Sequence, residues 1–179
     1  MNLYQKWAKR EHSLGMRILG TLPAGAIFAF LIPYTLLVWL PPLDTRLKLP
    51  SLFFGIINII VGGLILAIGF FFAMWSISSQ FTRARGTPLP MMATQKLLAD
   101  GPFRLCRNPM GLGTNLIYLG ISLLMGSICD IVFTLFFLGL FTAYVKGLEE
   151  KELAARFGQA YLDYKTATPF MLPRIISRK

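Results

Sequence analysis

The sequence predicts an all-α membrane protein. It has about four transmembrane helices, an interfacial N-terminal helix and a C-terminal amphipathic helix. Three observations lead there. The 179 residues are 55% hydrophobic and only 15% charged, whereas charged residues make up about a quarter of an ordinary soluble domain. Long charge-free runs recur, and a helix needs about 20 apolar residues to cross the hydrocarbon core. Eighteen Lys and Arg face eight Asp and Glu, a formal charge of +10, and the basic residues sit at the ends of the apolar runs. That pattern fits membrane flanks facing anionic headgroups. A nucleic-acid binder would carry its charge on a polar folded face.

The elements follow in order as one membrane domain over residues 1–179. Segment 1–17, "MNLYQKWAKREHSLGMR", lacks a small-residue cleavage pattern and reads as a retained interfacial helix, with Tyr4 and Trp7 at headgroup level. Its His12 reads as solvated or headgroup-facing. Residues 18–82 hold the first two spans. Ile18 to Leu43 is charge-free and contains Pro23 and Pro33, each of which removes a backbone donor and implies a kink. "PPLDTRLKLP" reads as a turn on the far side. Leu49 to Thr82 is the second run, with Gly55, Gly62, Gly63 and Gly69 along it. Small residues let helices approach closely in lipid, and they also permit a homodimer, so monomer and homodimer both stay open.

Residues 83–109 form a basic loop, with Arg83, Arg85, Lys96, Arg104 and Arg107 against Asp100. Residues 110–146 hold the third and fourth spans, with a tight turn near Ser127–Asp130 and Asp130 as the expected N-cap of the fourth. Lys146 is placed to snorkel toward the surface. In the tail, 147–179, Leu153, Phe157, Ala160, Tyr161 and Tyr164 recur at helical spacing, and Gly158 marks a bend. The positive-inside bias puts the N-terminus, the loop and the C-terminal tail in the cytoplasm. Cys106 and Cys129 then fall on opposite sides of the membrane, which excludes a disulfide between them, and no Cys/His cluster suggests a metal.

The stretch "GPFRLCRNPMGLG" at 101–113 carries chemistry. Pro109 sits where a helix starts, at a position that needs no amide donor, and Asn108 before it is a good N-cap. The first turn of the third span would present free N–H groups to the cytoplasm, a natural place for a carboxylate. Arg107 adds a fork of donors for a carboxylate or phosphate. Gly111 and Gly113 would let a ligand lie flat. Just past the fourth span, Glu149 and Glu150 face an anionic surface that disfavours them unless they are paired or used. The plainer reading is a capped helix start with basic anchors, followed by a solvated first helical turn.

"GTPLP", then "KLLADGPFRLCRNPMGLG", then "LEEKELAARFGQAYLDYKTATPFMLPR" together resemble the integral membrane methyltransferases. That family groups isoprenylcysteine carboxyl methyltransferases, phospholipid N-methyltransferases and prokaryotic relatives. The likeness runs from about Gly86 to Arg174. It implies S-adenosylmethionine as cofactor, held in a cytoplasm-facing pocket by Leu98, Gly101, Phe103, Arg107, Asn108, Pro109, Gly111, Glu149 and Glu150. It further implies a lipophilic acceptor, a lipid or isoprenoid-like molecule. A polar pocket set against apolar spans would let such an acceptor enter sideways from the membrane lipids between helices, beside Trp75 and the second span. Glu150 would be the candidate base and Arg107 its catalytic companion. Three positions depart from the family pattern. Asn108 stands where many members have His, which leans away from the prenyl-protein branch. Gly111 replaces a frequent Tyr, leaving Phe103 or Tyr118 to wall the cofactor. Lys146 is out of register with the arginine that prenylcysteine enzymes carry before their acidic pair. Two other functions compete: a non-catalytic helical membrane protein that binds lipid or a partner, and a sterol-reductase-like enzyme.

Overall fold

The computed structural model describes residues 13–84 and 96–173. Of the expected interfacial helix at 1–17, residues 1–12, with His12, lie outside those residues, as do Arg85, Gly86 and the "GTPLP" motif, while 14–17 already belong to the first long helical stretch. Among the described residues every regular element is helical. Three helical stretches are long and apolar enough to cross a membrane: Gly15–Arg46, Ile56–Thr82 and Ile128–Phe157. A shorter apolar helix, Pro109–Met125, lies between the last two in sequence. At 1.5 Å per residue its 17 residues reach about 26 Å, close to the roughly 30 Å core.

The first span begins as α1 (Leu14–Ala26) and passes through a π turn at Ile27–Leu31, the short α2 (Ile32–Tyr34) and a second π turn at Thr35–Trp39. The prolines explain part of this. In the π register Ile32 N–H bonds Ile27 O, and the next donor, due at Phe28 O, would be Pro33, which has none. The Phe28 carbonyl is instead taken by the Tyr118 hydroxyl at 2.7 Å. "PPLDTR", expected as a turn, is a helix, α3 (Pro41–Arg46), because its two prolines occupy the first positions, where no amide is needed.

The second run becomes helical only at α4 (Ile56–Thr82). Residues 49–55 form a loop, pinned by the buried Asn58. Its side-chain amide donates to Leu52 O and Leu123 O, and its oxygen accepts from Phe54 N. After the short α5 (Pro102–Leu105) comes α6 (Pro109–Met125), ended by Gly126 in the left-handed region at φ 61°. A Cβ on Gly113 would stand 2.4 Å from Ala73 N, and one on Gly69 2.7 Å from Ile117 N. The glycines therefore let α4 and α6 run backbone against backbone. Gly62 shares this role against Gly120 and Leu124, whereas Gly63 meets nothing.

α7 (Ile128–Tyr144) is capped by Ser127, whose Oγ accepts from Asp130 N at 3.1 Å. This corrects the expectation for Asp130, which lies inside the first turn and is buried. Asp44 of α3 caps the same helix from a distance, accepting from Ile128 N and Cys129 N at 3.0 Å each. A π turn at Val145–Glu149 leads into α8 (Glu150–Phe157), and Gly158 at φ 57° turns the chain into α9 (Gln159–Ala167), the expected bend. Leu36, Tyr118 and Ile121 form the core, with Ile32, Leu40, Leu66 and Phe133 packed around it.

Candidate functional site

The basic loop and the tail meet through their backbones. Arg107 N donates to Pro169 O at 2.8 Å and Asn108 N to Phe170 O at 3.0 Å. Tyr164 adds a side-chain tie, its hydroxyl donating to Phe103 O at 2.6 Å. Asn108 caps α6 as expected, its Oδ1 accepting from Gly111 N at 2.8 Å. These contacts hold Arg107 at the mouth of α6, facing the start of α8.

Arg107 and the acidic pair are adjacent. Arg107 Nη2 lies 3.1 Å from Glu150 Oε1, and the two side chains are 12% and 7% exposed. Lys165 Nζ approaches the other oxygen, Oε2, at 2.7 Å. The pairing is electrostatic more than directional. Arg107 Nε and Nη1 and Glu150 Oε1 are buried without hydrogen-bond partners. Buried polar groups are normally satisfied, so this cluster has unused donors and acceptors. Phe170 roofs it, its ring 5.9 Å from the Arg107 guanidinium carbon and 4.9 Å from Lys146 Nζ. Lys146, expected to snorkel, is exposed and carries its Nζ over that ring.

Burial, and next the Glu150 carboxylate, push the Tyr161 hydroxyl up to about 12, so it stays a neutral donor. Burial likewise raises Tyr164. Cys106, buried behind the loop, is pushed up to about 11 by desolvation, against a smaller lowering from the Asn108 backbone.

A cavity of about 990 Å³ opens beside the cluster. Leu98, Phe103, Arg107, Asn108, Glu149 and Glu150 all line it, with Tyr161, Tyr164 and Phe170. Gly101, Pro109 and Gly111 are not on its wall. Gly101 has φ 55° and turns the chain into α5. Gly111 is needed for packing, since a Cβ there would stand 2.3 Å from the Phe141 ring. The flat ligand surface expected at Gly111 and Gly113 is thus a helix contact. From the cluster the cavity runs along α6 past Thr114 and Ile117 to Tyr118 and Phe28, between α1 and α4. Phe30 and Phe70 line it while being 74% and 58% exposed, so it opens sideways toward lipid there. Trp75, the expected entry marker, does not line the cavity itself but lies on a shallow surface that adjoins it, sharing Phe70 and Met74.

Lys165, Phe170 and Gln80 were not legible as site residues. Lys165 reads as the polar face of a tail helix, "TPFMLPR" as a chain ending, and Gln80 as the last polar step of a span. Only the tertiary fold brings Phe170 and Gln80 to the cavity and Lys165 to Glu150.

No curated protein and no solved structure significantly matches the chain. The family model described as phospholipid methyltransferase does, over residues 57–160. That match spans α4 through the start of α9 and so takes in the loop, Arg107, Asn108 and the acidic pair. More than half of the 179 residues are covered, and the chain belongs to the phospholipid methyltransferase family of integral membrane proteins.

Proposed function

We propose that the protein is an S-adenosylmethionine-dependent methyltransferase that modifies a lipophilic acceptor at the cytoplasmic interface. One observation carries this reading: a single cavity joins a buried, under-bonded ion cluster to apolar walls open to lipid. A water-soluble cofactor and a membrane-borne acceptor need both ends.

The residues present suit the cofactor. Arg107 has two buried donors, Nε and Nη1, free for a carboxylate. Glu149 lines the cavity and makes no ion pair among the described residues, so it can accept from ribose hydroxyls or an ammonium group. Glu150, with Arg107 on one oxygen and Lys165 on the other, positions Arg107. That moves the role of proton acceptor from Glu150 to Glu149 for any acceptor that must lose a proton. Phe103, Tyr161 and Phe170 wall the cofactor and exclude water. The cofactor supplies an electrophilic methyl group on a sulfonium, so placement and desolvation are what the protein must add.

The cluster faces the cytoplasm by the positive-inside bias. Arg17, Arg83, Arg104, Arg107, Lys151 and Lys165 lie at that end of the helices, against Arg46 and Lys48 at the other. Titration calorimetry of folded, detergent-solubilised protein with S-adenosylhomocysteine tests the proposal. Binding is expected, weakened at least tenfold in Arg107→Met or Glu149→Ala, a loss of about 1.4 kcal/mol or more. No binding to folded wild type would overturn it.

A further inference from the structure

The two halves of the first span are held differently. The C-terminal half is anchored. Leu36 is fully buried with Tyr118 and Ile121, and Asp44 accepts from the Ile128 and Cys129 amides. The N-terminal half has little to hold it. Among the described side chains, none before Leu36 is buried. A Cβ on Gly15 or Gly25 would meet nothing within 4 Å. Helices in lipid are held by packing, and a segment with few buried contacts opens at low cost.

A soft joint separates the halves. Ile27–Leu31 is wound as a π turn, and Pro33 leaves the Phe28 carbonyl to the Tyr118 hydroxyl. Sharp bends in helices concentrate at prolines and π turns. The cavity lies behind α1. Ile18 and Leu22 line it on that side, and Phe70, Met74 and Ile77 line it from α4. From Arg17 to Phe28 the helix runs about 16 Å.

At the free end of α1, Arg17 Nη1 reaches across to α4 and donates to Phe81 O at 3.2 Å. Phe81 belongs to the last turn of α4, whose carbonyls have no partner within the helix. A cation there also meets the negative end of the helix dipole. The tie is incomplete, since Arg17 Nε is buried without a partner.

We infer that α1 is a lateral gate. It swings about the joint at Ile27–Pro33, Tyr118 holds the pivot at Phe28 O, and Arg17 on Phe81 O is the latch that keeps it against α4. Opening widens the slit between α1 and α4 toward lipid. Use of that slit by a methyl acceptor rests on the methyltransferase reading, whereas the hinge and latch stand without it.

Pulsed electron–electron double resonance on full-length protein in lipid nanodiscs tests the gate. Spin labels at Leu19→Cys and Ser78→Cys span the slit, and labels at Val38→Cys and Val132→Cys span the anchored half, both in a Cys129→Ser background. Two Leu19–Ser78 distances are expected. Arg17→Met shifts their ratio about tenfold toward the longer, as loss of a charge-assisted hydrogen bond would. Arg17→Lys, which keeps the charge, shifts it less. Pro33→Ala returns an amide donor to the joint and lowers the longer-distance fraction. The Val38–Val132 distance stays fixed throughout. A single slit distance unmoved by Arg17→Met, or equal movement of both pairs, overturns the inference. If Arg17→Met does not fold, Pro33→Ala decides alone, and an unchanged fraction there overturns it. S-adenosylhomocysteine binding is measured in parallel and is expected to be unchanged in Arg17→Met. A gate overturned with that binding intact leaves the methyltransferase reading standing. Binding absent from folded wild type removes that reading, and the distances still decide the gate.

Discussion

Arg107 and Glu150 are each nearly out of water, so neither is tolerable alone. Removing one partner of a buried pair costs about 3–5 kcal/mol, while replacing both with apolar groups of similar volume is far milder. Glu150→Met and Arg107→Met are each therefore expected to lower stability by about 3 kcal/mol in detergent unfolding, and Arg107→Met/Glu150→Met to recover most of that loss. Additive losses in this cycle would mean the pair is not coupled. Cys106 offers a second check. Its thiol is neutral well above pH 8 because burial raises it from 9.0 to about 11. The thiolate is the reactive form, so maleimide should label Cys106 only on unfolding. The raised value has a sign: its contribution to stability is whole below pH 9 and falls as pH climbs toward 11. At this scale the sequence was largely readable. Arg107, Asn108 and the acidic pair declared themselves by being polar where lipid disfavours it. Which carboxylate of the pair meets Arg107 did not, because that depends on which of two neighbours the fold turns toward Arg107 and Lys165.

Among the helices, α4 and α6 make the tightest contact, and it tolerates no added carbon. Gly113→Ala and Gly69→Ala push a methyl into opposing backbone. Each is expected to destabilise the protein by about 1–3 kcal/mol through overpacking. Gly63→Ala, which meets open space, is expected to be neutral. Equal effects at Gly63 and Gly113 would refute the antiparallel register. Spacing marked the glycines as contact residues but not which ones touch, since the partner helix sets that. Charge did not mark where the helices end, since the apolar helices run on through Arg17, Asp44, Lys146 and Glu149. Nor was the loop at 49–55 legible, because its apolar residues look like span until Asn58 is seen holding them. Nor was the Ser127 cap, which won over Asp130 because Oγ one residue before the helix reaches the third amide.

For the whole molecule, the expectation is that Leu47 and Lys151 face opposite sides of the membrane. Leu47→Cys in intact cells should react with an impermeant thiol reagent, and Lys151→Cys only after permeabilisation. The reverse pattern would turn the bundle over and remove the site from the cytosol. The all-helical architecture was plain from hydrophobicity. The cavity was not, since no run of residues announces a void between helices that meet elsewhere. The π turn at Val145–Glu149 has a bearing on how such a site tolerates change. It carries one residue more than an α-helical turn and thereby sets the heading of everything after it. Deleting Gly147 would let the chain relax to ordinary winding and swing the tail by roughly 100°. Glu150 would then point away from Arg107 and Phe170 would lose its seat, although no polar side chain had been altered. For this protein a lost residue in that turn should be more damaging than most substitutions around it.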